Sequence, residues 1–570
     1  MKDDVNVVFC GEAGQGVQTA EALLVRAFKQ AGCHVFATKE YMSRIRGGSN
    51  STDIRVSSRA VNAPLKAIDI CVPLHKGALN HLAKRISTET IVIGDADHLA
   101  ECRCGTHVEA PFAAIAKEAG GKIFATVAAA GAVAGLLGMD DKAFIELVGK
   151  AIAKKGEEIV KKNKQAASRG LEFGRKLREE GSGGFALEPD PEVSGRIVVT
   201  GAEAVALGAL AGGCDFLSSY PMSPSTGVMT FLAGQAASFG LVVEQAEDEI
   251  SAVNMALGAW YAGARAIVTT SGGGFALMVE GLSLAGIIES PLVIHLAQRP
   301  GPATGLPTRT EQGDLEFALY SGHGEFPRIL LAPGTREEAF LLAGKAFDLA
   351  DKHQVPVILL TDQFLMDSYA DTPPFDPAAV EAVRRIHKTE AGYKRYALSL
   401  DGISPRGIPG YGEGLVGVDS DEHDEEAHIT EDLELRTKMV VKRLRKADGI
   451  LREAIPPEYI GEPGARVLVV TWGSTRNPVR EALAAIGRKD VAQLHFSQVW
   501  PLHPSAEFLL ARAKRRILVE GNATAQFGRL LHLYAGAEMS ARILRCDGLP
   551  FAADETAERL REVLDREALQ

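Results

Sequence analysis

The sequence is poor in sulfur and carries no long run of one kind. Only seven cysteines occur in 570 residues, at Cys10, Cys33, Cys71, Cys102, Cys104, Cys214 and Cys546, and none forms C-x2-C. Neither a zinc ribbon nor an iron–sulfur cluster is therefore read from them, and the expectation is free thiols in a reducing compartment. No apolar stretch approaches membrane-spanning length, and no basic segment leads into an apolar one at the start of the chain. A formal net charge of −11 without a long basic run argues against nucleic acid or an anionic membrane as partner. These absences predict a cytoplasmic protein. What is present is globular: 46% of residues are apolar and 24% charged, enough for about three or four domains.

Residues 5–11 (VNVVFCG) read as a buried strand, followed by GEAGQG and a helix from Val17 to Ala31. Further strands at 34–37, 52–57, 68–74 and 90–95, with helices near 110–119 and 139–154, describe an α/β domain placed at 1–180. The spacing of Gly11, Gly14 and Gly16 is G-x-x-G-x-G rather than the dinucleotide pattern, so a phosphate turn and plain tight packing both fit. Arg44, Arg46, Gly47, Gly48, Ser49 and Asn50 form a basic loop that either meets an anion or faces a partner. Residues 155–195 read as a charged helix, a flexible Gly/Ser segment and an acidic, Pro-punctuated stretch, with the linker proper at 181–195.

A second α/β domain spans 196–385, with strands RIVVTG, FLSSYP, LVVEQ, RAIVTTS, PLVIHLA, RILLAPG and VPVILLTD. Each is near-continuously apolar, as buried parallel strands are, so a doubly wound sheet is expected. Four loops should gather at its carboxyl edge: Tyr220–Thr226, Glu244–Glu249, Ser271–Gly274 and Gln298–Glu311. In the stretch VVEQAEDEISAVNMALGAWY, Ile250, Val253, Leu257 and Trp260 or Tyr261 fall at helical spacing and predict a buried face. Glu247 and Asp248 read as charges complementing the helix start. Glu249 adjoins the apolar face at a strand's carboxyl end, where a carboxyl has a movable pKa and suits proton transfer. Residues 386–460 break the rhythm and contain DSDEHDEEAHITED (419–432), in which His423 and His428 among carboxylates raise a metal site against a solvated or docked charged segment. A third α/β domain, 461–570, carries VLVVTWG, AQLHFS and RILVEGN.

YPMSPST, VEQAEDEISAVNMALGA, TSGGGFALM and RPGPATGLPTRTEQGDL together resemble the α subunit of 2-oxoacid:ferredoxin oxidoreductases. The N-terminal GEAGQG domain is similar to that family's γ subunit, here fused, and the tail from VTWGSTRNPVREAL to EGNATAQ to its transketolase C-terminal-like domain. DSDEHDEEAHITED followed by KMVVKRLRK looks like the 2-oxoglutarate branch. The resemblance implies a thiamine-diphosphate enzyme that converts a 2-oxoacid, with coenzyme A, to an acyl-CoA and passes electrons to ferredoxin, or runs in reverse as a carbon-fixing carboxylase. Glu249 matches the glutamate that bonds the aminopyrimidine and favours its imino tautomer. Ser223 stands where the family has threonine, and Arg309 matches the arginine that grips the substrate carboxylate. Arg309 as a structural ion pair with Glu311 or Asp314 is the alternative. Tyr220, Pro221, Ser271, Gly272, Gly273 and Gly274 would line the cofactor.

No GDG followed by Asn-Asn, the family's Mg2+ and diphosphate pattern, occurs in this chain. No metal site is assigned here, and a β subunit is expected to supply Mg2+ and the [4Fe–4S] cluster in an αβ or (αβ)2 complex. Pyruvate and branched-chain 2-oxoacids are alternative substrates. Rival readings are a ferredoxin-independent thiamine enzyme and a non-catalytic assembly subunit.

Overall fold

The computed structural model describes residues 2–42, 48–100 and 104–566. Arg44, Arg46 and Gly47 of the basic loop, and Cys102, lie outside the described residues. The chain forms two compact units, one from Met1–Val199, Ser368–Pro374 and Ala552–Glu558, the other from Thr200–Asp367, Phe375–Phe551 and Arg559–Gln570.

The first unit is built on an eight-stranded mixed sheet. Its order is Thr106–Glu109, Ile91–Gly94, Ile70–Pro73, Asp4–Gly11, Asn50–Ser57, His34–Glu40, Tyr369–Thr372 and Ile197–Thr200. The first four strands run parallel, and Asn50–Ser57 pairs antiparallel with both its neighbours. The glycine turn closes at Gly16, whose φ of 84° places it in the left-handed region at the start of helix Val17–Gln30. An Ala/Gly-rich helix at Ala125–Leu136, apolar all round and not foreseen from the sequence, packs on helix Glu157–Glu179. Glycines set that packing: a Cβ on Gly131 would lie 2.5 Å from Ala167 O, and one on Gly174 would lie 1.9 Å from Ala132 O. The charged helix of the sequence reading is therefore amphipathic, with a glycine stripe turned inward. The stretch 181–195 is held along the unit, where Lys2 N donates to Gly184 O and Asp190 N to Gly32 O. His34 is fastened from both ring nitrogens, to Asp371 at 2.8 Å and Asp190 at 3.2 Å.

The second unit holds two sheets. The seven-stranded one has the order Gln498–Trp500, Ile329–Leu331, Pro356–Asp362, Leu292–Gln298, Ala266–Thr270, Phe216–Ser219 and Val242–Gln245. All neighbours are parallel except Gln498–Trp500. RIVVTG, expected as the first strand of this sheet, instead pairs in the eight-stranded one. Its residues Ile197–Thr200 are only half-buried, as an edge strand allows despite apolar letters. The other expected strands are present. The chain runs from Phe216–Ser219 outward to Val242–Gln245 and then returns to Ala266–Thr270 on the other side of Phe216–Ser219. This reversal makes a topological switch point, beside which ligands bind in sheets of this kind.

The five-stranded sheet, Glu458–Ile460, Val491–Phe496, Val467–Trp472, Arg515–Glu520 and Ala541–Leu544, adds two short strands to the three expected. Between the sheets, 386–432 is mostly irregular and leads into helix Leu433–Arg452. That excursion is locked inward by charge. Glu289, 1% exposed, meets Lys442 Nζ and Lys446 Nζ at 2.6 Å each, and Arg395 donates to its backbone oxygen at 2.8 Å. Burial opposes ionisation of Glu289, but the two ammoniums and the guanidinium hold its carboxyl down at about 2. The acidic segment is docked on the chain itself: Glu422 accepts from Arg443 at 2.8 and 3.0 Å and also from Arg436. His423 is buried with Nδ1 against Asp421 O, whereas the His428 side chain is 71% exposed. Among the described residues no cluster of His, Cys, Asp and Glu is arranged to hold a metal ion.

Candidate active site

Glu249 is placed by the way its helix begins. Asp248, extended at φ −157°, caps helix Glu249–Tyr261 by accepting from Ser251 N at 2.7 Å. Glu249 thereby enters the first turn facing inward, while Glu247 stays exposed. The helix buries Ala252, Val253, Ala256, Leu257 and Trp260, and Trp260 Nε1 donates to Ala266 O at 2.9 Å. Val253, Leu257 and Trp260 lie on the expected buried face, with Trp260 rather than Tyr261 turned inward, whereas Ile250 is 46% exposed and Ala252 and Ala256 complete the stripe in its place. Ser218 Oγ donates to Ala252 O at 2.6 Å and ties the helix to the neighbouring strand.

Glu249 is only 3% exposed, and its Oε1 meets no hydrogen-bond partner among the described residues. Burial, with Asp248 adding its charge, pushes this carboxyl above the ordinary glutamate range. The glycine run that follows Ala266–Thr270 leaves space for it. A Cβ on Gly274 would stand 2.4 Å from Glu249 Oε1 and 2.3 Å from Thr270 Oγ1. On the other side of the run, a Cβ on Gly272 would stand 2.5 Å from Asp314 Oδ2. Gly273 is open, with only Ala303 O at 3.9 Å. Ser271 Oγ and Asp314 Oδ2 are also buried without a hydrogen-bond partner among the described residues. Burial first, then Glu311, pushes the Asp314 carboxyl up to about 6.

The remaining loop is drawn in by Arg299, which donates from Nη1 to Ser223 O at 2.7 Å. Ser223, before a cis peptide to Pro224, is exposed, as is Tyr220 at 40%; Pro221 is half-buried. Arg309 lies further along Gln298–Leu315, partly buried, 3.0 Å through its Cβ from the position of a Cβ on Gly548. The structure thus brings Glu249, Ser271 and Gly272–Gly274 together, ties Ser223 to the loop Gln298–Leu315 through Arg299, and places Arg309 further along the same loop. Arg299 carried no signal beyond its place in that loop, and Asp314 was weighed only as an ion-pair partner of Arg309. Buried polar atoms left open at a glycine run on a switch point make this the candidate cofactor site of an α/β enzyme.

Comparison with known proteins specifies the class. The family described as "Pyruvate flavodoxin/ferredoxin oxidoreductase, thiamine diP-bdg" matches residues 207–442. "Pyruvate ferredoxin/flavodoxin oxidoreductase" matches residues 6–173. A Sulfolobus 2-oxoacid:ferredoxin oxidoreductase α subunit is 32% identical, over 98% of this chain and 96% of that one. The 2-oxoglutarate synthase subunit KorA of Archaeoglobus fulgidus is 34% identical, over 52% of this chain and 78% of its own. Among solved structures, the 2-oxoglutarate:ferredoxin oxidoreductase of Magnetococcus marinus, with 2-oxoglutarate, coenzyme A and succinyl-CoA bound, superposes with a TM-score of 0.90 at 30% identity, covering 99% of this chain and 100% of that one. The chain belongs to the α subunits of the 2-oxoacid:ferredoxin oxidoreductases, thiamine-diphosphate oxidoreductases.

Proposed function

We propose that this chain supplies the aminopyrimidine half of a site that oxidatively decarboxylates 2-oxoglutarate to succinyl-CoA, with two electrons passing to ferredoxin, or that runs the reverse carboxylation. The observation that carries the reading is the orphaned Oε1 of Glu249 against Gly274. The residues suit thiamine diphosphate: Gly273 is open to close approach, and Glu249, Ser271 and Asp314 each keep a polar atom without a hydrogen-bond partner among the described residues. When bound, that cofactor supplies the carbon nucleophile and electron sink for loss of carbon dioxide. Glu249, whose carboxyl burial pushes above the ordinary glutamate range, would hydrogen-bond a ring nitrogen of the bound cofactor. Arg309 turns its guanidinium fork to the substrate's 1-carboxylate. Ser223 offers a hydroxyl beside the reacting carbon.

The 2-oxoglutarate assignment rests on the KorA relatives and on what the Magnetococcus enzyme holds. A β subunit bringing Mg2+, diphosphate contacts and a [4Fe–4S] cluster completes the reading, because this chain lacks the corresponding motifs. Tyr220, Ile250 and Leu277, exposed at 40, 46 and 49% around the site, suit such a partner's cover. A cytoplasmic place is consistent with the absence, among the described residues, of any helix long and apolar enough to cross a membrane.

The test is a substrate panel on the co-expressed pair, read as coenzyme A-dependent viologen reduction. 2-Oxoglutarate should give the highest kcat/KM. Preference for pyruvate or a branched 2-oxoacid would move the substrate assignment. Activity of this chain alone would end the half-site reading.

A further inference from the structure

The loop Gln298–Leu315 runs 16 residues between the strand that ends at Gln298 and the helix that begins at Leu315, with no helix or strand between them. Residues 301–306 within it are exposed. A connection of that length has no hydrogen-bond ladder of its own, so its shape must be set from outside. Gln312 does this. Although polar and in a loop, it is 2% exposed, and both its backbone and its side chain bond into the five-stranded part of the same unit. Gln312 N donates to Gly521 O at 2.6 Å, and Gly521 N returns a bond to Gln312 Oε1 at 2.8 Å. Gln312 Nε2 donates to Trp472 O at 2.9 Å, and Asn522 Nδ2 donates to Gln312 O at 2.9 Å. Asn522 is aimed in turn by Glu520, whose Oε1 accepts from Asn522 Nδ2 at 2.7 Å and from Phe527 N at 2.9 Å.

Two glycines leave room for this contact. A Cβ on Gly473 would stand 3.0 Å from Gln312 Nε2, and one on Gly521 would stand 3.2 Å from Gln312 Oε1. The anchored stretch begins at once after Arg309, since Thr310 N donates to Gly548 O at 3.1 Å. On its other side Arg309 N donates to Leu306 O at 3.1 Å.

We propose that Gln312 and Asn522 are positioning residues for substrate binding: through them the five-stranded part fixes the backbone at 310–313 and so sets where Arg309 presents its guanidinium. This rests on the reading of Arg309 as the substrate-carboxylate holder. It also gives the EGN segment (520–522) a task. A contact serving stability alone would not discriminate between substrates, whereas a positioning contact acts on the 2-oxoacid and not on coenzyme A.

The experiment uses the full chain assembled with its partner subunit, comparing Gln312→Leu, the near-isosteric Gln312→Glu and Asn522→Ala, with and without Arg309→Lys. Each single variant should raise KM for 2-oxoglutarate by about 10-fold, the effect of losing one or two buried hydrogen bonds. KM for coenzyme A should stay as in the unmodified enzyme. Combined with Arg309→Lys, the losses should be less than multiplicative, because both act on one contact. Assembled variants with an unchanged 2-oxoacid KM, or strictly multiplicative losses, would overturn the proposal. So would failure of all three to assemble, which would make the network structural only. If Arg309→Lys by itself leaves kcat/KM unchanged, the Arg309 reading fails first. If Arg309→Lys acts and the Gln312 and Asn522 variants do not, only the positioning role falls.

Discussion

Replacing Gly274 with alanine should separate chemistry from folding at this site. Gly274 lies in the short helix Gly272–Leu277, where alanine is favoured over glycine by roughly 1 kcal/mol. The added methyl, however, would sit 2.4 Å from Glu249 Oε1 and 2.7 Å from Glu249 Cδ, where ordinary contact begins at 3.4 Å. The carboxyl is the free end of its side chain, so it yields by about 1 Å rather than unfolding the helix, and a misplacement of that size costs about 10²-fold in rate. Helix propensity and the push on Glu249 and Thr270 nearly cancel in stability, so the melting temperature should move by only about 3 °C. The control is Gly234→Ala in helix Thr226–Phe239, where a Cβ would meet nothing among the described residues within 4 Å. Viologen reduction by the assembled enzyme gives kcat, calorimetric titration gives cofactor affinity, and circular dichroism gives the melt. Gly274→Ala should lose about 10² in kcat while Gly234→Ala keeps it. A Gly274→Ala enzyme within about threefold of the parent would refute the placement of Glu249 in the reaction.

Three further outcomes are expected. Burial pushes the Glu520 carboxyl up to about 7 despite the donors on Oε1, and Asp362 up to about 6. The native state therefore keeps protons that the unfolded chain releases, so stability falls as pH rises from about 4.5 to 7, by about 3 kcal/mol for Glu520 alone. Glu520→Gln should flatten the pH dependence of thermal melts between about pH 4.5 and 7, and an unchanged slope would contradict the burial argument. Glu289→Gln strands Lys442 and Lys446 without their counter-charge and should destabilise the second unit by about 3–5 kcal/mol in denaturant titrations; a loss below about 1 kcal/mol would show those ammoniums to be solvated. Arg309→Lys keeps the charge but not the fork and should lower kcat/KM by about 10-fold, whereas a silent change would make the residue structural.

The sequence was most informative where one physical constraint dominates. Parallel strands buried on both faces read as apolar runs, and the loops at their carboxyl ends followed from topology, which is how Glu249 and the glycine run were placed together. It was least informative where small residues do the packing. Ile250 was misread because Ala252 and Ala256, not Ile250, join Val253, Leu257 and Trp260 in the buried stripe, and helix Ala125–Leu136 was missed because alanine and glycine on all sides leave no periodicity. Ile197–Thr200 was given to the wrong sheet because an apolar edge strand looks like a central one. Gln312 had no signal at all: a buried polar residue shows itself only through partners more than 150 positions away, Trp472 and Gly521. The resemblance to a known family supplied the chemistry that spacing could not.

The most direct measurement compares Glu249→Gln with Glu247→Gln in the assembled enzyme. Glutamine keeps the shape of the buried side chain and removes its exchangeable carboxyl proton. Glu249→Gln should assemble and melt like the parent yet turn over about 10² or more slower, the usual scale of general acid–base help. Glu247→Gln, on an exposed charge at the helix start, should stay within about threefold. Equal losses at the two positions, or full activity of Glu249→Gln, would contradict the account.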